Sequence, residues 1–296
     1  MANIQTLIED IYSVLEDGVD VNKVQNRDAL DRFSKNIYSA VRRQLGEGTK
    51  HRASEEPRIR MSQIGKPDRQ LWYEFNTTGE PEVLSGQSKM RFIFGDMLEA
   101  LLILLSEVSG HEVTECQEEV TLEGIKGHKD CRIDGVLTDI KSASPYSFKK
   151  FKEGTLHSSD AFGYIAQISA YAEASGSKDA KFFAVDKSSG EMALMDVQPV
   201  HMINASERIK RVKTMVKSSV TPPRCYEEEA DGTSGNMKLP VGCVFCPHKF
   251  ECWKTSNQGM GLRVFQYSNG NRFLTQVHKI PNVPEITNEF TDAKTQ

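Results

Sequence analysis

GHKDCRIDGVLTDIKSAS, residues 127–144, sets an Asp-Gly pair between two β-prone runs. A two-residue hairpin turn of type I′ needs positive φ at both central positions, which Asp-Gly adopts readily. With Asp134 and Gly135 as the turn, Ile133 pairs with Val136, Arg132 with Leu137 and Cys131 with Thr138; the same register carries Asp130 opposite Asp139. Side chains alternate across a strand. His128, Asp130, Arg132, Leu137, Asp139 and Lys141 are therefore predicted on one, mostly polar face, and Cys131, Ile133, Val136, Thr138 and Ile140 on the other, apolar one. Directly opposed residues have Cβ atoms roughly 4.5–5.5 Å apart. Two carboxylates so placed need a cation, a shared proton or abundant water. Lys141, predicted opposite His128, would put one ammonium at the edge of the pair. Taken alone, the hairpin suits a solvated face of mixed charge and a binding site equally well.

Outward from the hairpin, the periodicity alternates between helix and strand. Upstream, IQTLIEDIYSVLE (4–16) sets Ile4, Leu7, Ile8, Ile11, Tyr12 and Leu15 on one helical stripe, and DALDRFSKNIYSAVRRQL (28–45) repeats the pattern. Residues 46–58 are polar and read as a linker. Residues 89–108 have helical spacing, with Phe92, Phe94, Met97, Leu98, Leu101, Leu102 and Leu105 as core candidates; Glu99 is an acid amid that apolar run. Residues 118–122 suggest a strand. Downstream, residues 160–174 suggest a helix, AKFFAVDK and EMALMDV two strands across a Ser-Gly turn, and 201–219 a further helix. The tail beyond Thr221 is rich in Pro, Gly and Cys with little periodicity. This order predicts an α/β (α+β) core with additions at both ends. The boundaries expected are an N-terminal helical region over 1–58, a core over 59–220 and a cysteine-bearing region over 221–296.

At 296 residues and 38% hydrophobic, the chain can bury a core. Its mean hydropathy is −0.47. The longest apolar run, Ala100 to Leu105, is too short to cross a bilayer, and no signal-peptide layout opens the chain, so a soluble cytoplasmic protein with no membrane partner is expected. A net charge of −4 and a pI near 6.0 exclude a globally basic protein and confine any nucleic-acid surface to local patches. Such patches occur at Lys149, Lys150 and Lys152, and at Arg208, Lys210, Arg211, Lys213 and Lys217. Trp72, Tyr73, Phe148 and Phe151 are candidates to stack on bases, with core packing expected for at least half of them.

Four of the six cysteines fall between 225 and 252. Cys243, Cys246 and Cys252 lie within ten residues, flanked by Pro240, Gly242 and Pro247. Thiolates at such spacing suit tetrahedral zinc or a 4Fe–4S cluster, in a structural role that ties down the tail. Cys116 and Cys131 read as ordinary buried thiols.

Asp130 followed, after eight residues, by Asp139-Ile140-Lys141 resembles the PD-(D/E)XK nuclease signature. Gly95-Asp-Met-Leu-Glu99 fills the place of the family's preceding Gly-x-x-x-His or Gly-x-x-x-Glu helix. Gln167 and Tyr171 match the Gln-x-x-x-Tyr motif of the RecB-like branch. Cys243-x2-Cys246-x5-Cys252 matches the C-terminal cluster staple of CRISPR-associated RecB-like and AddB-type nucleases. The resemblance spans roughly residues 60 to 255 and is closest to phage-encoded exonucleases. In two places the chain departs from it. Glu99 stands where RecB-like members usually carry His. No cysteine precedes Cys116, although the family's first cluster cysteine lies upstream, which leaves Cys225 as the fourth ligand.

The resemblance implies a restriction-endonuclease-like core, a central mixed β-sheet flanked by helices. It implies a metal-dependent DNA exonuclease in phage replication, recombination or host DNA degradation, whose partner is DNA as single strands or ends. Glu99, Asp130, Asp139 and the Ile140 carbonyl would hold Mg²⁺ or Mn²⁺. Lys141 would position or deprotonate the attacking water. Gln167 and Tyr171 would hold the substrate backbone. Cys225, Cys243, Cys246 and Cys252 would hold a 4Fe–4S cluster, with Zn²⁺ as the alternative. Lys149, Lys150, Lys152, Arg208 and Arg211 would contact DNA. The alternatives are a non-catalytic DNA-end-binding accessory protein of the same fold and a structure-specific endonuclease.

Overall fold

A computed structural model of the chain describes residues 3–46, 58–77 and 86–291. The N-terminal stripe forms a short 3-10 turn, Ile4–Thr6, then α1 (Leu7–Asp17), with Leu7 and Ile11 buried. Next come α2 (Val24–Gly46), α3 (Asp68–Asn76) and α4 (Gly86–Val108). The strands that follow are β1 (Val113–Thr114), β2 (Glu119–Leu122), β3 (Ile125–His128), β4 (Cys131–Ile133) and β5 (Val136–Ala143). Then come α5 (Pro145–Lys152), α6 (Tyr164–Ser175), β6 (Ala180–Asp186), β7 (Met192–Asp196) and α7 (Ala205–Met215).

The central sheet has the order β1-β4-β5-β6-β7. Only β5 and β6 run parallel, joined by the crossover through α5 and α6; the other neighbours are antiparallel. The chain is thus mixed α/β, with a central mixed sheet flanked by helices. Each face carries its own apolar layer. Leu137, Phe182 and Ala184 pack with Phe148 and Phe151 of α5 and Ile168 of α6. Cys131, Ile133, Ile140, Phe183 and Val185 pack with Leu7 and Ile11 of α1 and Leu102 of α4. Strand β6 is buried along its whole length, as a strand covered on both faces must be.

The β4–β5 hairpin has the register read from its turn: Ile133↔Val136, Arg132↔Leu137 and Cys131↔Thr138. Asp134 (φ 49°) and Gly135 (φ 79°) both take positive φ. The ladder stops at Cys131; Asp130 lies just before it and joins the opposite strand by its side chain instead, Oδ2 accepting from Ile140 N at 2.7 Å.

One open alternative is decided and two expectations are corrected. The polar hairpin face is covered by the α5–α6 layer, and Asp139 is 1% exposed. Alternation predicts which residues share a face but not whether a second layer covers it. His128 belongs to the separate β2–β3 hairpin, paired with Glu119 rather than lying opposite Lys141. Phe92, Phe94 and Met97 of α4 are 48%, 46% and 38% exposed. A helix apolar nearly all round carries no stripe that tells its buried side from its open one.

The chain divides into two compact units: Met1–Gly65 with Thr78–Lys213, and Lys66–Thr77 with Thr214–Gln296. Helix α3 therefore belongs with the C-terminal residues. In that second unit, β8 (Glu229–Ala230) and β9 (Met237–Lys238) precede two four-residue helices, α8 (Val241–Val244) and α9 (Lys249–Cys252). Strands β10 (Arg263–Tyr267) and β11 (Gly270–Gln276) complete a sheet of order β10-β11-β9-β8. Its core gathers around Trp253, with Leu239, Leu262, Val264 and Phe273. No described helix is long and apolar enough to cross a membrane.

Candidate functional site

The hairpin brings Asp130 and Asp139 together by crossing one turn, and the sheet buries both. Lys141 engages Asp139 Oδ2, while Oδ1 is buried without a hydrogen-bond partner among the described residues. Glu99 reaches the same group from α4. Its Oε1 accepts from Gln117 Nε2 at 2.6 Å, and its charge interacts with Asp139 and Lys141. With all ionised, three carboxylates face one ammonium, a formal excess of two negative charges.

That excess shows in the acidities. Burial raises the Asp130 carboxyl well above its ordinary range; repulsion from Asp139 adds to it, against the pull of Lys141. Burial also raises Asp139 and Glu99, each opposed by Lys141. Burial alone would lower Lys141, but Asp139 and Asp130 outweigh it and raise its pKa, so it stays an ammonium at neutral pH. Its Nζ lies 3.4 Å from the Ile140 carbonyl oxygen.

Helix α6 supplies the opposite wall. Gln167 Nε2 donates to the Tyr171 hydroxyl at 3.2 Å, the i, i+4 spacing setting both on one helical face. Burial raises the Tyr171 phenol to about 12, the Gln167 hydrogen bond easing it and Asp139 and Asp130 adding to it. Gly127 of β3 lets that ring in: a Cβ there would lie 2.8 Å from Tyr171 Cε1 and 2.8 Å from Met61 Cβ. Two neighbours escaped the sequence reading. Tyr164 opens α6 with its ring centroid 5.1 Å from Lys141 Nζ, a position three residues before Gln167 that helical spacing could have found. Gln117 holds Glu99 from a loop at φ 54°, which no local signal announces.

The basic candidates are spread over two helices. On α5, Lys149 pairs with Glu153 and Lys152 with Glu191, while Lys150 Nζ donates to Ser159 O at 2.8 Å. On α7, Arg208 Nε donates to Ile64 O at 2.8 Å, and Arg211 is exposed. Of the suggested stacking residues, Tyr73, Phe148 and Phe151 are buried. Trp72 is half-buried, its Nε1 donating to Ser218 O at 2.8 Å.

In the second unit, Cys225, Cys243, Cys246 and Cys252 line one small cavity together with Arg69 and Trp253. Arg69 stands on α3, in the stretch where the resemblance would put a first cysteine. Its Nε donates to Cys252 Sγ at 3.1 Å and its Nη1 to Pro222 O at 2.6 Å. Burial raises Cys243 to about 12, a hydrogen bond with Trp253 opposing it and the other three thiols adding to it. Cys116 is exposed, contrary to expectation, while Cys131 is buried in the apolar layer on one face of the hairpin.

Among the described residues, no three His, Cys, Asp or Glu side chains converge closely enough to form a ligand set as they stand. The donor chemistry nonetheless suits two different ions. Buried carboxylates with an unpartnered Asp139 Oδ1 suit a hard divalent cation, and four thiols around one cavity suit a thiophilic metal or cluster.

No family model matches the chain, and no curated protein does. Partial likenesses exist among solved structures. The crystal structure of SSO0001 shares 14% identity over 71% of this chain and 92% of that one, with a TM-score of 0.41. A phage-related exonuclease from Haemophilus somnus 129PT shares 18% over 55% and 92%, with a TM-score of 0.39. LHK-Exo in complex with dAMP shares 18% over 53% and 86%, with a TM-score of 0.29.

Proposed function

We propose that this chain is a metal-dependent DNA nuclease of the PD-(D/E)XK type. In this reading it is an exonuclease acting on single strands or ends in phage replication, recombination or host DNA degradation. The observation that carries the proposal is the cluster of buried Asp130 and Asp139 with half-buried Glu99 and Lys141, in which Lys141 engages one Asp139 oxygen and leaves Oδ1 without a partner. Buried charge is costly unless it is compensated. An excess of negative charge held in place by a sheet is explained by a cation that the fold expects.

Glu99, Asp130, Asp139 and the Ile140 carbonyl would hold Mg²⁺ or Mn²⁺. When bound, that ion supplies a water of lowered pKa and offsets charge on the scissile phosphate. Lys141, kept charged by its acid neighbours, acts as a hydrogen-bond donor to the attacking water and the phosphoryl oxygens, not as a base. Gln167 and Tyr171 donate to the substrate backbone and fix its register against β5. The basic residues of α5 and α7 would hold the strand through charge rather than sequence. In the second unit, Cys225, Cys243, Cys246 and Cys252 would hold a 4Fe–4S cluster or zinc in a structural role.

The test is degradation of end-labelled DNA with Mg²⁺. Lys141→Ala is expected to slow it by about 10²–10³-fold, and chelation to stop it; equal rates in wild type and variant would sink the proposal. The Lys141–Asp139 ion pair favours a second reading, DNA binding without cleavage, because it already engages one of the acids. Binding that survives chelation, with no cleavage under any divalent ion, would establish that reading instead.

A further inference from the structure

The rings suggested by sequence for base stacking are mostly buried, but among the exposed rings of the acid-site unit two flank the α5–α6 connection: Tyr146 at 76% exposure and Phe162 at 62%. Single exposed apolar residues are common and usually need no explanation. Phe162 differs in how it is seated. Its ring stacks on Tyr164 at 5.4 Å between centroids and 26° between planes. Tyr164 in turn lies 5.1 Å from Lys141 Nζ and touches Phe151 and Phe182 of the core at 6.2 and 6.4 Å. Phe162 is the outermost ring of a series that runs from the core, past Lys141, to solvent.

The loop beneath it is pinned. Asp160 accepts from Tyr164 N at 3.0 Å and Ile165 N at 2.8 Å, fixing the start of α6. Gly163 takes φ 74° and packs so closely on Gly65 that a Cβ on either would overlap the other's backbone. At the foot of the loop, Lys150 Nζ is held by Ser159 O at 2.8 Å and Ser159 Oγ at 3.0 Å, and lies 5.1 Å from the Tyr146 ring. Phe162, stacked on the Tyr164 ring that adjoins Lys141, sets an aromatic face beside a cation at the acid site; proteins hold an unpaired strand this way, the ring taking the base and the cation the phosphate.

We infer that Phe162, backed by Tyr164, is the stacking platform for an unpaired nucleobase of the nucleotide presented to Lys141 and the acids. The inference rests on the nuclease reading and deepens it. The ligand class is single-stranded or frayed DNA, and stacking makes the preference for base identity weak.

The experiment titrates the full chain, with Ca²⁺ in place of Mg²⁺, against a labelled single strand and against an all-abasic strand of the same length. Phe162→Ala is expected to weaken binding of the normal strand about 5- to 150-fold, the weight of one base–aromatic stack. It is expected to leave the abasic strand unchanged, and Phe162→Trp to restore normal binding. Equal binding of the normal strand by wild type and Phe162→Ala, or an equal loss on both strands, would overturn the inference. If the wild type still degrades DNA with Mg²⁺ in that case, only the platform fails. A wild type that neither binds nor degrades DNA removes the nuclease reading and the platform together.

Discussion

Asp130 and Asp139 sit on adjoining segments of a five-stranded sheet, whereas Cys225, Cys243, Cys246 and Cys252 are carried on turns and four-residue helices. The acids are held apart from water by two apolar layers, one on each face of the sheet. The cysteines surround a cavity whose main apolar support is Trp253 and a few neighbours. The difference concerns what must be in place before a ligand arrives. Like charges in a dry interior repel, so only a rigid scaffold can hold carboxylates there ahead of a cation. Thiols are neutral until a metal binds, so a loop region can carry them, and metal binding then adds to folding stability.

The contrast breaks most visibly at Cys243. Cys243→Ser should release bound metal from the second unit and cost it about 4 kcal/mol where the metal stands near a thousand times its Kd. Metal analysis, the visible spectrum and limited proteolysis read the result. Exposed Cys116→Ser should change stability by no more than about 0.5 kcal/mol. Equal metal content in wild type and Cys243→Ser would end the claim that this cavity differs in kind from the acid site.

At the acid site the effect should depend on pH. Because burial raises the folded pKa of Asp130, its protonated form favours folding. That contribution is full below the unfolded value of about 3.9 and is lost as pH rises through the folded pKa. With chelator present, this group's contribution to Tm should fall as pH climbs above about 4. Asp130→Asn should flatten the fall and raise neutral Tm by about 2–4 °C per kcal/mol of repulsion relieved. Thermal melts across pH, with chelator and with Mn²⁺, decide it; a Tm difference between Asp130→Asn and wild type that does not grow over that range would contradict the assigned burial.

Smaller effects probe the walls of the site. Gly127→Ala should cost about 1–3 kcal/mol by pushing a methyl into Tyr171 and Met61, and Tyr171→Ala in the same chain should recover part of it, as a double-mutant cycle of melts would read. The smallest effect is expected for Asp134→Asn. Asp134 accepts from Glu112 N at 3.0 Å and meets His111 Nδ1 at 2.7 Å. Asn keeps both contacts and tolerates positive φ, so stability should change by less than about 1 kcal/mol, with cleavage intact. Loss of cleavage as complete as in Lys141→Ala would mean that the turn, not the strands, carries the chemistry.

Some of this was legible in the chain alone, for a local reason. The positive φ that Asp134-Gly135 accepts selects the turn, and the turn selects the register, so Ile133↔Val136 and its neighbours follow without tertiary information. The stripes of α1 and the cysteine spacing are local in the same sense. What the tertiary structure alone decided is what lies on top of those elements. Whether the face bearing Asp139 meets water depends on the parallel pairing of β5 with β6 and on α5 and α6 packing over it, contacts between residues distant in the chain. Likewise, only packing placed Tyr164 under Phe162 beside Lys141, left Phe92 and Phe94 exposed on an evenly apolar helix, and brought Cys225 and Arg69 to the other three cysteines. Turn preference and side-chain alternation act over a few residues, whereas burial, and the charge chemistry that burial creates, is a property of the assembled layers.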